Sequence, residues 1–305
     1  MRTEKFSQFA MLIGVVLTFA TGAFAATSQQ SFASPEDAVS TLVGTIKSND
    51  VKAMRSVLGN AGGVLSSGDA VADRAATQDF VAAYDAKHSI VLEGDTAKLI
   101  LGKDDFPFAF PLVKSGGVWR FDTAAGIDEL NARRIGENEL NTINVLQAIV
   151  DAQQEYASEP RTGDGVAAYA RRIISSKGKR DGLYWPTKAG EPPSPLGELV
   201  ASASGEGYAA SKSGPKPFHG YYFRTLKGQA AGANGAALDY VVRGHAIGGF
   251  AVIAYPAKYG SSGIMSFVVN QDGKVYQSDL GPKTLERATA IHRFDTAKGW
   301  SPVSP

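Results

Sequence analysis

From Ile127 to Tyr156 the chain carries a long helical pattern. Leu130, Leu140, Ile143, Leu146, Val150 and Tyr156 form an approximate apolar stripe, and Gly136 marks a point where the helix is expected to kink. This pattern follows directly on a run of short alternating segments. The switch of period restricts the fold to an α+β arrangement: helices and an antiparallel sheet, a long helix, then further strands.

Before the switch, Ser34-Pro35-Glu36-Asp37 reads as a helix start, with Ser34 as N-cap, Pro35 at the first helical position and two acids in the first turn. A second helix is expected near Val51–Leu58 and a third from about Asp69. Ser89–Leu92, Ala97–Leu101, Phe108–Val113 and Val118–Asp122 read as strands, separated by turns at Glu93-Gly94-Asp95 and Lys114-Ser115-Gly116-Gly117. After the long helix, strands are expected at Tyr221–Leu226, Tyr240–Arg243, Gly249–Tyr255, Met265–Asn270 and Lys274–Gln277. The expected division is a leader at residues 1–25, an N-terminal α+β domain at 32–126, and a C-terminal α+β domain with its long leading helix at 127–305. The first domain has nine basic and twelve acidic residues, the second twenty and seventeen.

The leader is a signal peptide by pattern. Arg2 and Lys5 precede an apolar run from Phe9 to Ala20, and Ala23-Phe24-Ala25 supplies the small–x–small cleavage site. A periplasmic or secreted bacterial protein is expected, not integral to the membrane once cleaved after Ala25. The remaining chain carries equal numbers of basic and acidic side chains, which argues against nucleic acid as a partner. The absence of cysteine excludes disulfides, a thiolate nucleophile and thiolate metal sites.

Familiar catalytic strings are missing. His88, His219, His245 and His292 are scattered, with no metal-ligand spacing. There is no Gly-x-Ser-x-Gly, P-loop or Gly-x-Gly-x-x-Gly string, and Gly260-Ser261-Ser262-Gly263 reads as a turn. Ser176-x-x-Lys179 and Ser213-x-x-Lys216 lack the companion strings of penicillin-interacting enzymes. Glu159 to Gly165 resembles a calcium loop, but Arg161 and Gly163 stand where oxygen ligands belong. No metal or other cofactor is expected. The basic run from Arg171-Arg172 to Lys177-Gly178-Lys179-Arg180 suits an anion or a solvated helix end.

The most distinctive strings are aromatic: Asp181-Gly182-Leu183-Tyr184-Trp185-Pro186 and Phe218-His219-Gly220-Tyr221-Tyr222-Phe223-Arg224. The second reads as a strand with Phe218, Gly220 and Tyr222 on one face and His219, Tyr221 and Phe223 on the other. Arg133, Arg134, Asn138 and Glu139 from the helix, Asp181, Tyr184 and Trp185 from a loop, and His219, Tyr221 and Arg224 from a strand are the candidate ligand-binding residues. They suit a polar, aromatic-walled cleft or a buried network pinning helix, loop and strand together. The leading functional expectation is a non-enzymatic binding or scaffolding protein, its partner an envelope protein or a small or polymeric ligand. The rivals are a hydrolase assembled from Asp151, Glu155, Asp181, His219 and Arg224, and a pilin-like assembly subunit.

Arg133-Arg134-Ile135-Gly136-Glu137-Asn138-Glu139-Leu140, Asp151-Ala152-Gln153-Gln154-Glu155-Tyr156, Asp181–Pro186, Ser194-Pro195-Leu196-Gly197 and Tyr255-Pro256-Ala257-x-Tyr259-Gly260-x-Ser262-Gly263 occur in this order. Together they resemble the bacterial secreted family of domain of unknown function 2950. The resemblance implies an exported protein and brings no activity or catalytic residues. Members of that family often carry a more acidic string where Glu159–Gly165 stands. Residues 32–126 are also similar to the cone-shaped nuclear transport factor 2-like domains, and the long helix with its late hairpin resembles a pilin head; fold likeness does not fix function.

Overall fold

The computed structural model describes residues 29–59, 66–188, 190–208, 216–231, 236–297 and 299–303; the leader at residues 1–25 and Ser213 lie outside them. The chain opens with α1 (Pro35–Lys47), α2 (Val51–Leu58) and α3 (Ala70–Ala86). Side-chain oxygens set each start: Ser34 accepts from the N–H of Asp37, Asp50 from Ala53, and Asp69 from Val71 and Ala72. An antiparallel sheet follows, built from β1 (His88–Glu93), β2 (Thr96–Leu101), β3 (Phe106–Pro107), β4 (Leu112–Ser115) and β5 (Val118–Phe121). Its order is β1-β2-β4-β5, with β3 added to β2. Leu42 from α1 and Leu99, Leu112 and Phe121 from the sheet are fully buried in the first core.

The expected strand Phe108–Val113 is mostly irregular: β3 ends at Pro107, before it, and only Leu112 and Val113 fall in β4. Pro107 and Pro111 supply no N–H to a ladder, so pairing stops and resumes around them.

α4 (Thr123–Ala157) starts four residues before the stripe implied, because Asp122 caps it through the N–H of Ala125. The helical pattern is continuous through Gly136. Ile127 and Leu130 pack against the first core, whereas Leu146, Ile149, Val150 and Tyr156 belong to a second. One helix is therefore built into both cores.

The remaining elements are α5 (Gly197–Gly205), β6 (Tyr221–Thr225), β7 (Gly228–Gln229), β8 (Leu238–Asp239), β9 (Ala251–Pro256), β10 (Met265–Asn270), β11 (Tyr276–Asp279), α6 (Thr284–Ala290), β12 (Arg293–Phe294) and β13 (Ser301–Pro302). An antiparallel sheet runs β13-β11-β10-β9-β6, and β12-β7-β8 forms a smaller one. Central β9 is buried on both faces. Val252 and Ala254 meet the core that holds α4, while Ala251, Ile253 and Tyr255 meet a third cluster with Ala288 of α6.

Two further expectations fail at turns. Tyr240–Arg243 is not a strand: Val242 and His245 exchange main-chain bonds across a tight turn, with Arg243 at φ 51° and Gly244 at φ 90°. The alternating strand from Phe218 is likewise broken, because Phe218 and Tyr221 bond to each other around His219 (φ 46°) and Gly220 (φ 75°). From Tyr221 onward the alternation holds: Tyr221 and Phe223 pack on the α4 side and Tyr222 on the α6 side.

Candidate functional site

α4 faces the loop between β9 and β10 with three polar residues at helical spacing. Asn138 donates through Nδ2 to the carbonyl of Ser262 at 2.8 Å. Glu139 Oε1 accepts from the N–H groups of Ile264 and Met265, both at 2.9 Å. Arg134 donates to Ser261 Oγ at 3.1 Å. Burial lowers the pKa of Arg134 from its ordinary value, and nearby Asp73 opposes that shift. Tyr221 completes the group by donating to the carbonyl of Met265 at 2.8 Å. Its hydroxyl stays protonated far above its ordinary range, first because it is buried and then because Glu139 is near.

The backbone must approach closely here. A Cβ on Gly263 would lie 1.9 Å from the Tyr221 hydroxyl, and one on Gly220 would lie 2.5 Å from Asn138 Nδ2.

Asp69 ties the N-terminal helices to the same place. It is 2% exposed. Oδ1 caps α3, and Oδ2 accepts from the Tyr208 hydroxyl at 2.9 Å and the N–H of Gly220 at 3.0 Å. Tyr208 in turn accepts from the N–H of His219 at 3.2 Å. Burial, then the bond to Asp69, pushes the Tyr208 hydroxyl strongly upward in pKa. The His219 ring lies 3.2 Å from a Glu206 carboxylate oxygen.

Arg134, Asn138, Glu139, His219 (through its backbone) and Tyr221 thus meet at one junction. The other candidates lie elsewhere. Arg133 bonds Glu129 and the carbonyl of Pro107 and stacks on Phe106 at 4.5 Å. Trp185 packs edge-on to Tyr156 in the second core. Tyr184 pairs through its backbone with Ile173 and Ser175. Arg224 donates to the carbonyls of Ala288 and Ile291, capping the C-terminal end of α6. The hydrolase set is not joined either: Asp151 and Glu155 are exposed on α4, and among the described residues no hydrogen bond or ion pair links them to Asp181, His219 or Arg224.

Asp181 accepts from the N–H of Ser176 at 2.7 Å and its hydroxyl at 2.8 Å. Burial pushes its pKa up, but those bonds and Arg172 outweigh burial and hold it below 3.8. Its stabilisation is therefore complete above the unfolded value and lost as the pH falls through the lower folded value. Acid titration followed by the NMR signal of the Ser176 N–H, which donates to Asp181, is expected to show this loop loosening below about pH 4. The same titration in Asp181→Asn would then be absent; an unchanged one assigns it to another group.

Sequence reasoning missed Asp69 beyond its helix-start role, and it missed Tyr208, Ser261 and Gln153. Gln153 is fully buried and bonds both main-chain groups of Ala170. It also missed two hollows. One, of about 400 Å3, is lined by Arg171, Arg172, Ile173, Phe223, Arg224 and Thr225. The basic run was its only signal. The other, of about 440 Å3, lies beside His292, Arg293 and Trp300, with Arg293 paired to Asp239. Among the described residues, no three His, Asp or Glu side chains are placed to hold a metal ion. No described helix is long and apolar enough to cross a membrane.

Fold and sites together define an α+β protein whose junction polar groups are bonded to one another and to the backbone. The chain belongs to the family described as Protein of unknown function (DUF2950), whose model matches residues 29–303. No curated protein and no solved structure matches it.

Proposed function

We propose that this chain is an exported, envelope-associated binding or scaffolding protein with no catalytic step of its own. The contrast between its polar junction and its basic hollow carries the reading. Asp69, Asn138, Glu139 and Tyr221 are all engaged with each other's elements. Such a network holds helices, loop and sheet rigid. The hollow beside β6 is open and lined by three arginines.

Export to the periplasm or the medium is part of this reading, supported by Arg2, Lys5, the Phe9–Ala20 run and Ala23-Phe24-Ala25. So is a division into domains 32–126 and 127–305, supported by separate cores although Ile127 and Leu130 pack on the first. Three helices against an antiparallel meander support the nuclear transport factor 2-like comparison for the first domain. A long helix leading into an antiparallel sheet supports the pilin-head comparison for the second.

The test is incubation of the chain from Ala26 onward with envelope peptides and glycans, following melting temperature and products together. A ligand at a hundred times its Kd is expected to stabilise the fold by about 2.7 kcal/mol and to be recovered intact. Cleaved product would assign an enzyme. N-terminal sequencing of the native protein is expected to begin at Ala26; an intact Met1 on soluble protein overturns export.

A further inference from the structure

The hollow beside β6 has the form of a seat for a chain end. β6 is the last strand of its sheet. Ala257 donates to the carbonyl of Gly220 and Leu226 donates to that of Ala251, both at 2.8 Å. With the β6–β9 register, these bonds turn the main-chain groups of Tyr222 and Arg224 toward β9. Tyr221 turns its own back to Phe218. Phe223 and Thr225 therefore direct N–H and C=O groups at the free edge, where no strand pairs with them among the described residues.

Arg171–Ile173 lines the same hollow, and Leu183 and Tyr184 hold it by donating to the carbonyls of Arg172 and Ile173. The hollow is about 400 Å3 and open to solvent, as a groove along a strand edge is. One end is narrow: Thr225 Oγ1 reaches the carbonyl of Arg171 at 3.4 Å. A chain running along the edge has to stop there.

Positive charge gathers at the same place. Arg171 has a single weak bond, to the carbonyl of Gly244 at 3.3 Å. Arg172 is 62% exposed and 3.7 Å from Asp181. Arg224 bonds only carbonyls, and its buried Nε has no partner. Neither Arg171 nor Arg224 has a carboxylate in ion-pair range among the described residues. Arginine forks match a carboxylate with two parallel bonds.

We propose that this cleft takes the C-terminal end of an extended peptide: its main chain adds to the free edge of β6 at Phe223, and its terminal carboxylate is held by Arg171 and Arg172. Strand addition supplies main-chain bonds and the arginines supply direction. This rests on the binding-protein reading above.

The experiment is calorimetric titration of the chain from Ala26 onward with a short acetylated alanine–valine peptide carrying a free C-terminus, with its C-terminal amide, and with inorganic phosphate. The acid is expected to bind about tenfold or more tightly than the amide, since a charge-assisted bond is removed. Arg171→Ala/Arg172→Ala changes two exposed side chains and is expected to erase that preference with the fold intact by circular dichroism. Thr225→Pro removes an N–H that points away from the ladder, a place where an edge strand tolerates proline, and is expected to weaken the acid peptide while leaving phosphate unchanged. Equal binding of acid and amide, binding of neither, or phosphate binding as tightly as the peptide and equally sensitive to Thr225→Pro overturns the proposal. Mass spectrometry of the recovered peptide separates the two readings. Cleavage sinks the non-enzymatic reading and leaves the seat standing; an intact peptide with no acid preference sinks the seat alone.

Discussion

Asp69→Ala is expected to lower folding stability by about 3–5 kcal/mol, from the loss of a helix cap and of two bonds to a buried charge. The carboxylate is 2% exposed and accepts four hydrogen bonds, two from α3 and one each from Tyr208 and Gly220. Removing it leaves the Tyr208 hydroxyl and the Gly220 N–H without an acceptor in a place water reaches poorly. Gly220 is also held against Asn138, so the turn cannot shift freely to find another partner. Urea unfolding measures the loss. Tyr208→Phe removes a donor to Asp69 and the acceptor of the His219 N–H, and is expected to cost about 1–2 kcal/mol. In the double variant the two effects should not add, because they share a bond. A loss below about 1 kcal/mol for Asp69→Ala would mean that water replaces its partners, and the junction would then be a hydrated cleft open to ligands.

Much of the local structure was legible because its signals are local. Ser34 and Asp69 mark helix starts in the sequence, and both act as caps. The glycine turns at Gly94 and Gly116-Gly117 fall where expected, with positive φ. Failures arose where a residue type rarely signals its conformation. His219 and Arg243 adopt left-handed backbone that side chains seldom take, and each turned an expected strand into a tight turn. The junction was half legible. Arg134, Asn138 and Glu139 share one helical surface, which spacing reveals. Their partners Ser261, Ser262 and Met265 lie more than a hundred residues away, and nothing in a single sequence links them. Asp69 is the sharpest case: its cap is a three-residue pattern, while its bonds to Tyr208 and Gly220 arise only when the sheet and α3 pack.

Trp185→Ala is expected to cost about 3–5 kcal/mol, the usual range for emptying a large buried aromatic site. Trp185 is 6% exposed and belongs to the core with Leu146, Ile149 and Leu183. Its ring meets Tyr156 edge-on with centroids 6.3 Å apart. The Arg161 and Arg180 guanidiniums stand 5.8 and 5.4 Å from its centroid. Alanine leaves a void under the loop that Asp181 closes, and two cations lose the face they stand over. Trp185→Phe keeps a ring in place and is expected to lose less than half as much. Arg180→Ala removes a cation from the face and is expected to cost about 0.5–1 kcal/mol. Melting curves of the three variants separate core from platform. A Trp185→Ala protein that melts with the wild type would show the ring to be free for stacking on a ligand, a second binding surface at the Tyr156 end of α4.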